Sequence, residues 1–211
     1  MLVIIKTKIA QRGFSLIEVL VTMIIVVVGL LGVLGMQVKA TSTEFESYQR
    51  GQALAFAREM QNRLLNARED ISQYVLLGTV SSTDGSVSVG DGVAAPDCGT
   101  LSGARRNLCQ WGEMLKGSAA SEDGNSVGAM IGARGCLIRV SPPEGNALAD
   151  LYVVVVWQGV VQGSEPTAES PAGKCASAVN YGTAMRRGLS LRVLVPDLKK
   201  DSTASGPIFT E

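Results

Sequence analysis

The sequence predicts an α+β fold in which a long N-terminal helix packs on a C-terminal antiparallel sheet. Three observations predict it. An apolar run at residues 14–36 contains a single charged residue, and a segment with helical spacing of apolar residues follows it directly. Short segments with alternating or continuous apolar character, rich in valine, leucine and isoleucine, occur after residue 135.

The apolar run at residues 14–36 is long enough to cross a membrane. As a helix it would measure roughly 35 Å, against a hydrocarbon core of roughly 30 Å. Lys6, Lys8 and Arg12 precede it, and no acid occurs before Glu18, so we expect the first residues to stay in the cytoplasm. A secretory signal peptide is the alternative. Its apolar region would be shorter, about 7 to 15 residues, and no clear cleavage site follows the run here.

The helical pattern continues past the run to about Asp70. Its apolar stripe has one longer step near Gly51 and comprises Phe45, Tyr48, Ala53, Phe56, Met60, Leu64 and Ala67. One helix from about Phe14 to about Asp70 is the simplest interpretation. A membrane helix joined near Gly51 to a separate amphipathic helix is the alternative. In either case the stripe needs a sheet or another domain to cover it.

The remaining chain predicts a small mixed domain. Residues 78–104 are rich in glycine, serine, threonine and aspartate and predict a loop. Leu108, Trp111 and Leu115 fall on one face of a short helix predicted at residues 105–117. Strands are predicted at residues 136–141, 151–161 and 189–195, with a long excursion at 162–187 and a polar tail at 198–211. We expect two layers, the sheet and the amphipathic half of the helix.

Composition restricts the chemistry of this chain. Lysine plus arginine equal aspartate plus glutamate at 19 each. The sequence therefore lacks the basic excess that would indicate a nucleic-acid partner. Histidine is absent from the sequence, so Ser/His/Asp hydrolysis, Cys/His proteolysis and histidine-ligated zinc cannot be built from this chain alone. We therefore expect no enzymatic activity, no cofactor and no metal.

Four cysteines, Cys98, Cys109, Cys136 and Cys175, follow the apolar run. An even number in an oxidising compartment predicts two disulfides, and four cysteines allow three pairings. Proximity along the chain favours Cys98 with Cys109 and Cys136 with Cys175. A four-cysteine zinc site is the alternative, but the sequence has no Cys-x-x-Cys pair.

The start of the apolar run carries a specific pattern. Residues 12–20 read Arg-Gly-Phe-Ser-Leu-Ile-Glu-Val-Leu and resemble the processing site of type IV pilins and type II secretion pseudopilins. The resemblance implies a type IV pilin-like fold, cleavage between Gly13 and Phe14 by a prepilin peptidase, and methylation of the new amine of Phe14. It also implies an assembly role for Glu18, whose carboxylate would neutralise the terminal ammonium of a neighbouring subunit.

Looser matches extend the resemblance to minor pilins of the PilV type. They comprise Trp111 and Leu115, residues 135–140, residues 153–159 and the late strand after Arg186 and Arg187. This resemblance implies a priming role in pilus assembly that supports pilus biogenesis, twitching motility or adhesion. The implied partners are other minor pilins, the major pilin, the inner-membrane assembly platform and the lipid of the inner membrane.

Two alternative functions remain. A minor pseudopilin of a type II secretion system would share the leader and the anchor. A membrane-anchored adhesive module would bind its ligand through residues 79–104 or 162–187.

The resemblance also implies an order of segments. Residues 1–13 would be the leader, 14–38 the membrane and assembly half of the helix, 39–72 its amphipathic half, and 73–211 a periplasmic α+β domain. We expect a single-pass protein of the bacterial inner membrane that is incorporated into the pilus.

Overall fold

The computed structural model describes residues 13–77, 88–94, 97–117, 121–122, 125–126, 130–140 and 147–197. The predicted leader, except for Gly13, and the predicted tail at 198–211 lie outside these residues. The helices are α1 (Leu16–Asn66), α2 (Ile71–Leu77), α3 (Gly103–Leu115) and α4 (Pro171–Lys174), with 3-10 turns at Arg68–Asp70 and Cys98–Thr100. The strands are β1 (Ser88–Gly90), β2 (Ser121–Glu122), β3 (Asn125–Ser126), β4 (Arg134–Arg139), β5 (Ala147–Gln158) and β6 (Arg186–Pro196).

The predicted fold class is confirmed: a long N-terminal helix packs on a four-stranded antiparallel sheet. The structure forms two compact units, one ending at Glu44 and the other beginning at Phe45. Helix α1 passes through Gly51 without a break, so the alternative of two separate helices joined near Gly51 is wrong. It ends at Asn66 and not near Asp70, because Ala67 has non-helical angles (φ −99, ψ 44) and starts a 3-10 turn.

The C-terminal part of α1 packs on the sheet through a stripe of five buried residues, two of them alanines. Its buried residues are Gln49, Ala53, Ala57, Met60 and Leu64. The prediction was wrong for Phe45 and Tyr48, which are 44% and 61% exposed. The indole Nε1 of Trp111 donates to the carbonyl oxygen of Phe56 at 3.0 Å and so ties α3 to this part of α1.

The main sheet has the order β1-β4-β5-β6, and every adjacent pair is antiparallel. The three predicted strands are present with shifted ends, since β5 begins at Ala147 and stops at Gln158. Ser141, the predicted end of the first strand, lies outside the described residues. Strand β1 occurs in a stretch predicted to be loop, where pairing with β4 determines its conformation.

The two faces of the sheet have separate apolar cores. Val153, Val155 and Trp157 of β5 face the helices, and Val154 and Val156 belong to a second cluster on the opposite face. Gly135 of β4 leaves room for the Trp111 ring. A Cβ atom at Gly135 would lie 2.3 Å from Cη2 of Trp111.

A third layer, which the sequence did not predict, covers the second face. Ala172, Cys175, Ala176 and Tyr181 from the excursion before β6 pack there against Val154 and its neighbours. The expectation of two layers was therefore wrong. A third layer forms because strand β5 is apolar at successive positions and so needs cover on both faces.

Candidate functional site

The predicted cleavage point lies on open chain directly before α1. Gly13 and Phe14 are both exposed, and the Phe14 side chain is 84% accessible. A Cβ atom added at Gly13 would meet nothing within 4 Å. The fold described here therefore gives no steric reason for glycine at this position. A requirement for glycine would come from whatever binds this segment.

Glu18 lies in the first turn of α1. The carbonyl oxygen of Ser15 accepts from the amides of Glu18 and Val19, at 3.0 and 3.3 Å, and so begins the helix. A carboxylate in the first turn interacts favourably with the positive end of the helix dipole. Glu18 is exposed, and its side chain makes none of the ion pairs found between described residues.

The N-terminal part of α1 has no cover within the structure. Each of its large apolar side chains between Phe14 and Val38 is at least 45% exposed. The helix is long and apolar enough to cross a membrane. The Thr22 hydroxyl donates to the Val19 carbonyl oxygen at 2.9 Å, so this polar group is satisfied within the helix. No described residue covers this surface, and an apolar helix of this kind fits lipid or another chain.

Gly29, Gly32 and Gly35 recur at intervals of three along this exposed part. A Cβ atom at any of them would meet nothing within 4 Å, and the helix is unbroken there. In membranes, small residues at such spacing let a second helix approach closely.

The N-terminal segment, residues 8–34, matches the family described as the prokaryotic N-terminal methylation motif. The chain carries a pilin-type methylation motif. This match supports a type IV pilin-like superfamily, and it indicates a type IV pilin or a pseudopilin. Processing by a prepilin peptidase and assembly with other pilins are implied by the same motif, and the apolar helix fits a pilin anchored in the inner membrane. No curated protein and no solved structure significantly matches the chain.

Two disulfides stabilise the globular unit of this pilin-like chain. Cys98 pairs with Cys109, which ties a 3-10 turn to α3, and Cys136 pairs with Cys175, which ties β4 to the end of α4. These are the pairs that proximity along the chain favours. All four thiols are thereby used, so the arrangement does not provide the zinc site considered as the alternative.

Sequence analysis named Arg186 only as part of the PilV-type resemblance and gave it no structural role, but it attaches the third layer to the sheet. Its guanidinium donates to the carbonyl oxygens of Ala172 and Ala176, at 3.3 and 3.2 Å, and to that of Cys175. It also lies over the Tyr181 ring, 5.2 Å from the centroid. Burial lowers the pKa of Arg186 from its usual value, and interaction with Tyr181 opposes this shift.

Arg187 makes the corresponding link to α1. Its Nη2 donates to Oε1 of Glu46 at 3.0 Å and to the carbonyl oxygen of Val161 at 2.6 Å. Gly159 and Gly163 make room for the guanidinium, since a Cβ atom on either would lie within 3.1 Å of Arg187 atoms. The adjacent arginines were the available signal in the sequence, but their partners are distant along the chain.

A second charged pair lies on β5 and β6. Asp150 is 1% exposed and accepts two hydrogen bonds from Arg192, at 3.0 and 2.6 Å. The bidentate geometry compensates for burial of the carboxylate. This pair supports the sheet and adds no group to the N-terminal site.

Proposed function

We propose that the chain is a minor pilin that takes part in type IV pilus assembly, within a priming complex. One observation carries the proposal: a carboxylate in the first turn of an otherwise apolar, uncovered helix, directly after the Gly13–Phe14 bond. An ionised group in hydrocarbon is costly unless it is paired. Cleavage after Gly13 would supply such a partner, the terminal amine of Phe14 on a neighbouring subunit.

The roles of the residues follow from this pairing. Cleavage by the prepilin peptidase leaves Phe14 as the first residue, and one methyl group on its amine still leaves a cation at neutral pH. Glu18 of the adjoining subunit neutralises that cation, so two charges leave water together. The pair favours one axial register between neighbouring helices, and the apolar surface around it supplies the remaining burial energy.

The minor-pilin assignment rests on segments that lie together in the globular unit. Trp111 and Leu115 of α3 pack against Gly135 of β4. Strand β4 pairs with β5 through Cys136 and Val154, and β5 pairs with β6. The stretches that resemble PilV-type pilins thus lie together in the globular unit.

We further propose the location and partners of this subunit. Before assembly it spans the inner membrane once, with the globular unit in the periplasm, where both disulfides can form. It then joins other minor pilins and the major pilin through the assembly platform. Its function is structural, and the proposal includes no catalysis, no cofactor and no nucleic acid.

Substitution of Glu18 tests the assembly step. We expect Glu18→Ala to mature normally, with an intact mass that shows Phe14 as the first residue and one added methyl group. Its amount in sheared pili should fall at least tenfold, because the neighbouring ammonium loses its partner. Glu44→Ala, an exposed acid on the same helix, is the matched control and should enter pili as the native chain does. Equal incorporation of the Glu18 variant would contradict the proposal.

A minor pseudopilin of a type II secretion system is the second candidate, because the methylation motif occurs in both classes. A strain that lacks this chain distinguishes them. Loss of surface pili with normal protein secretion supports the minor pilin. Loss of secretion with normal pili supports the pseudopilin.

The adhesive alternative is testable on the excursion before β6. Residues 160–165 and 167–169 are exposed, and the residues that follow are partly buried on the sheet by Arg186 and Cys175. A variant with residues 160–169 replaced should still form pili. If surface attachment is then lost, this segment is the contact loop.

A further inference from the structure

The contacts between α1 and the rest of the globular unit differ in strength along the helix. Between Phe56 and Leu64 the attachment is strong. Met60 and Leu64 are fully buried, and Trp111 Nε1 donates to the Phe56 carbonyl oxygen. Arg63 adds hydrogen bonds to α3, where its Nη1 donates to the Asn107 carbonyl oxygen at 3.2 Å.

The two turns before this region, residues 45–53, are here called the proximal turns. Phe45 and Tyr48 are 44% and 61% exposed there, close to the values for uncovered residues of the same helix such as Val21 at 45%, so they add little apolar burial on docking. Ala53 is completely buried, but its side chain is a single methyl group. The hydrophobic contribution of the proximal turns is therefore small beside that of Met60 and Leu64.

Gln49 is the other buried residue of the proximal turns, with 1% of its surface exposed. Neither its Nε2 nor its Oε1 has a hydrogen-bond partner among the described residues. In water both atoms would be hydrogen-bonded, so burial of this amide disfavours the docked state.

One ion pair opposes that effect. Glu46 Oε1 accepts from Arg187 Nη2 at 3.0 Å, and both side chains are mostly buried. Arg187 is fixed independently, because it also donates to the carbonyl oxygens of Val161 and Ala184. The guanidinium of Arg187, the partner of Glu46, therefore stays in place whether or not the proximal turns are docked.

We propose that the proximal turns form a conformational switch: residues 45–53 detach from the sheet while residues 56–64 remain docked, and the Glu46–Arg187 pair holds the closed state. Opening hydrates the Gln49 amide. Of the apolar side chains in the proximal turns, only the methyl group of Ala53 is completely buried in the closed state and becomes exposed. The first attached residue of α1 then changes from Glu46 to Phe56.

Thiol labelling of the full-length protein in detergent micelles tests the switch. All four native cysteines are in disulfides, so an added cysteine is the only thiol. Ala53→Cys and Ala57→Cys are matched probes, since both alanines are completely buried on the same face of α1. We expect Cys at 53 to react with a maleimide at least tenfold faster than Cys at 57.

Two substitutions identify the cause of the opening. Glu46→Gln should raise the labelling rate at position 53 severalfold, and Gln49→Met should lower it about tenfold. Neither should change the rate at position 57. Equal rates at the two positions, or a rate at 53 that does not respond to Gln49→Met, would overturn the proposal.

Limited proteolysis gives a second measurement without an added cysteine. Arg50 and Arg58 are both exposed on α1, one in the proximal turns and one in the firmly docked region. Trypsin should cut after Arg50 at least tenfold faster than after Arg58, and Gln49→Met should reduce the difference. Cleavage at equal rates would contradict the switch even if a labelling probe disturbed the fold.

Discussion

The two parts of α1 belong to one unbroken helix but have opposite surroundings. Up to Val38 the large apolar side chains are at least 45% exposed, whereas Ala53, Ala57, Met60 and Leu64 are completely buried by the globular unit. The first part is apolar all round apart from Glu18, whereas the second is amphipathic, with Arg50 and Arg58 on its exposed side. The comparison teaches that, among the described residues, only the second part of α1 contributes to a core. Substitutions in the exposed part should affect maturation and assembly, and substitutions in the docked part should affect stability.

Gly13→Ala should have the largest effect, and it falls on the exposed part. We expect maturation to fall at least tenfold, because a methyl group at the cut hinders the peptidase while nothing in the fold opposes it. Intact mass of the membrane fraction measures the ratio of precursor to mature chain. Gly29→Ala, another substitution into open space, is the control. Normal processing of the Gly13 variant would show that glycine is not required at the cut.

Two methionines on the same helix test the comparison directly. Met60→Ala should lower the free energy of unfolding by about 3 kcal/mol, because a fully buried side chain leaves a cavity. Met36→Ala, at a side chain 77% exposed, should change it by less than about 0.5 kcal/mol. Urea denaturation in detergent, followed by tryptophan fluorescence, measures both. Similar losses for the two variants would show that the exposed part also contributes to the stability of the globular unit.

The disulfides sharpen the comparison, since both lie in the globular unit and none links the exposed part. Cys136 and Cys175 are 39 residues apart, and Cys98 and Cys109 are 11 apart. The longer loop loses more entropy in the unfolded chain when it is closed. Replacing Cys136 and Cys175 with alanines should therefore lower the free energy of unfolding by about 1 kcal/mol more than replacing Cys98 and Cys109. The same denaturation experiment measures the difference, and a reversed order would contradict this account.

The sequence predicted the parts of the fold that depend on local pattern. The apolar run, the amphipathic stripe through Met60 and Leu64, and the valine-rich strand all have a periodicity that determines their structure. Contacts between distant residues were not predictable in this way. Strand β1 forms because β4 lies beside it, and the third layer forms because Val154 and Val156 need cover on the second face.

The candidate site shows the same division. Gly13, Phe14 and Glu18 are adjacent in the chain, so a short motif identifies them. Arg187 and Glu46, by contrast, are 141 positions apart, and only the folded structure brings them together.

The smallest expected effect is a response to alkaline pH, confined to the globular unit. Burial raises the pKa of Tyr74 and of Tyr181 above the usual value for a tyrosine. Above a pH of about 10 the phenols ionise in the unfolded chain before they do so in the folded one. The contribution of these two tyrosines to stability is therefore constant below that pH and is lost as the pH rises through the raised values. Deprotonation of Tyr181 also removes its hydrogen bond to the Gly132 carbonyl oxygen.

Thermal unfolding between pH 8 and pH 11 measures this response. The double variant Tyr74→Phe/Tyr181→Phe should lose part of the decline above pH 10, and each single variant should lose a smaller part. Because both tyrosines lie outside α1, the secondary structure of its exposed part in detergent should persist across the same pH range. If that part lost its helical signal together with the globular unit, the two parts of α1 would be coupled, and the independence inferred from their surroundings would be wrong.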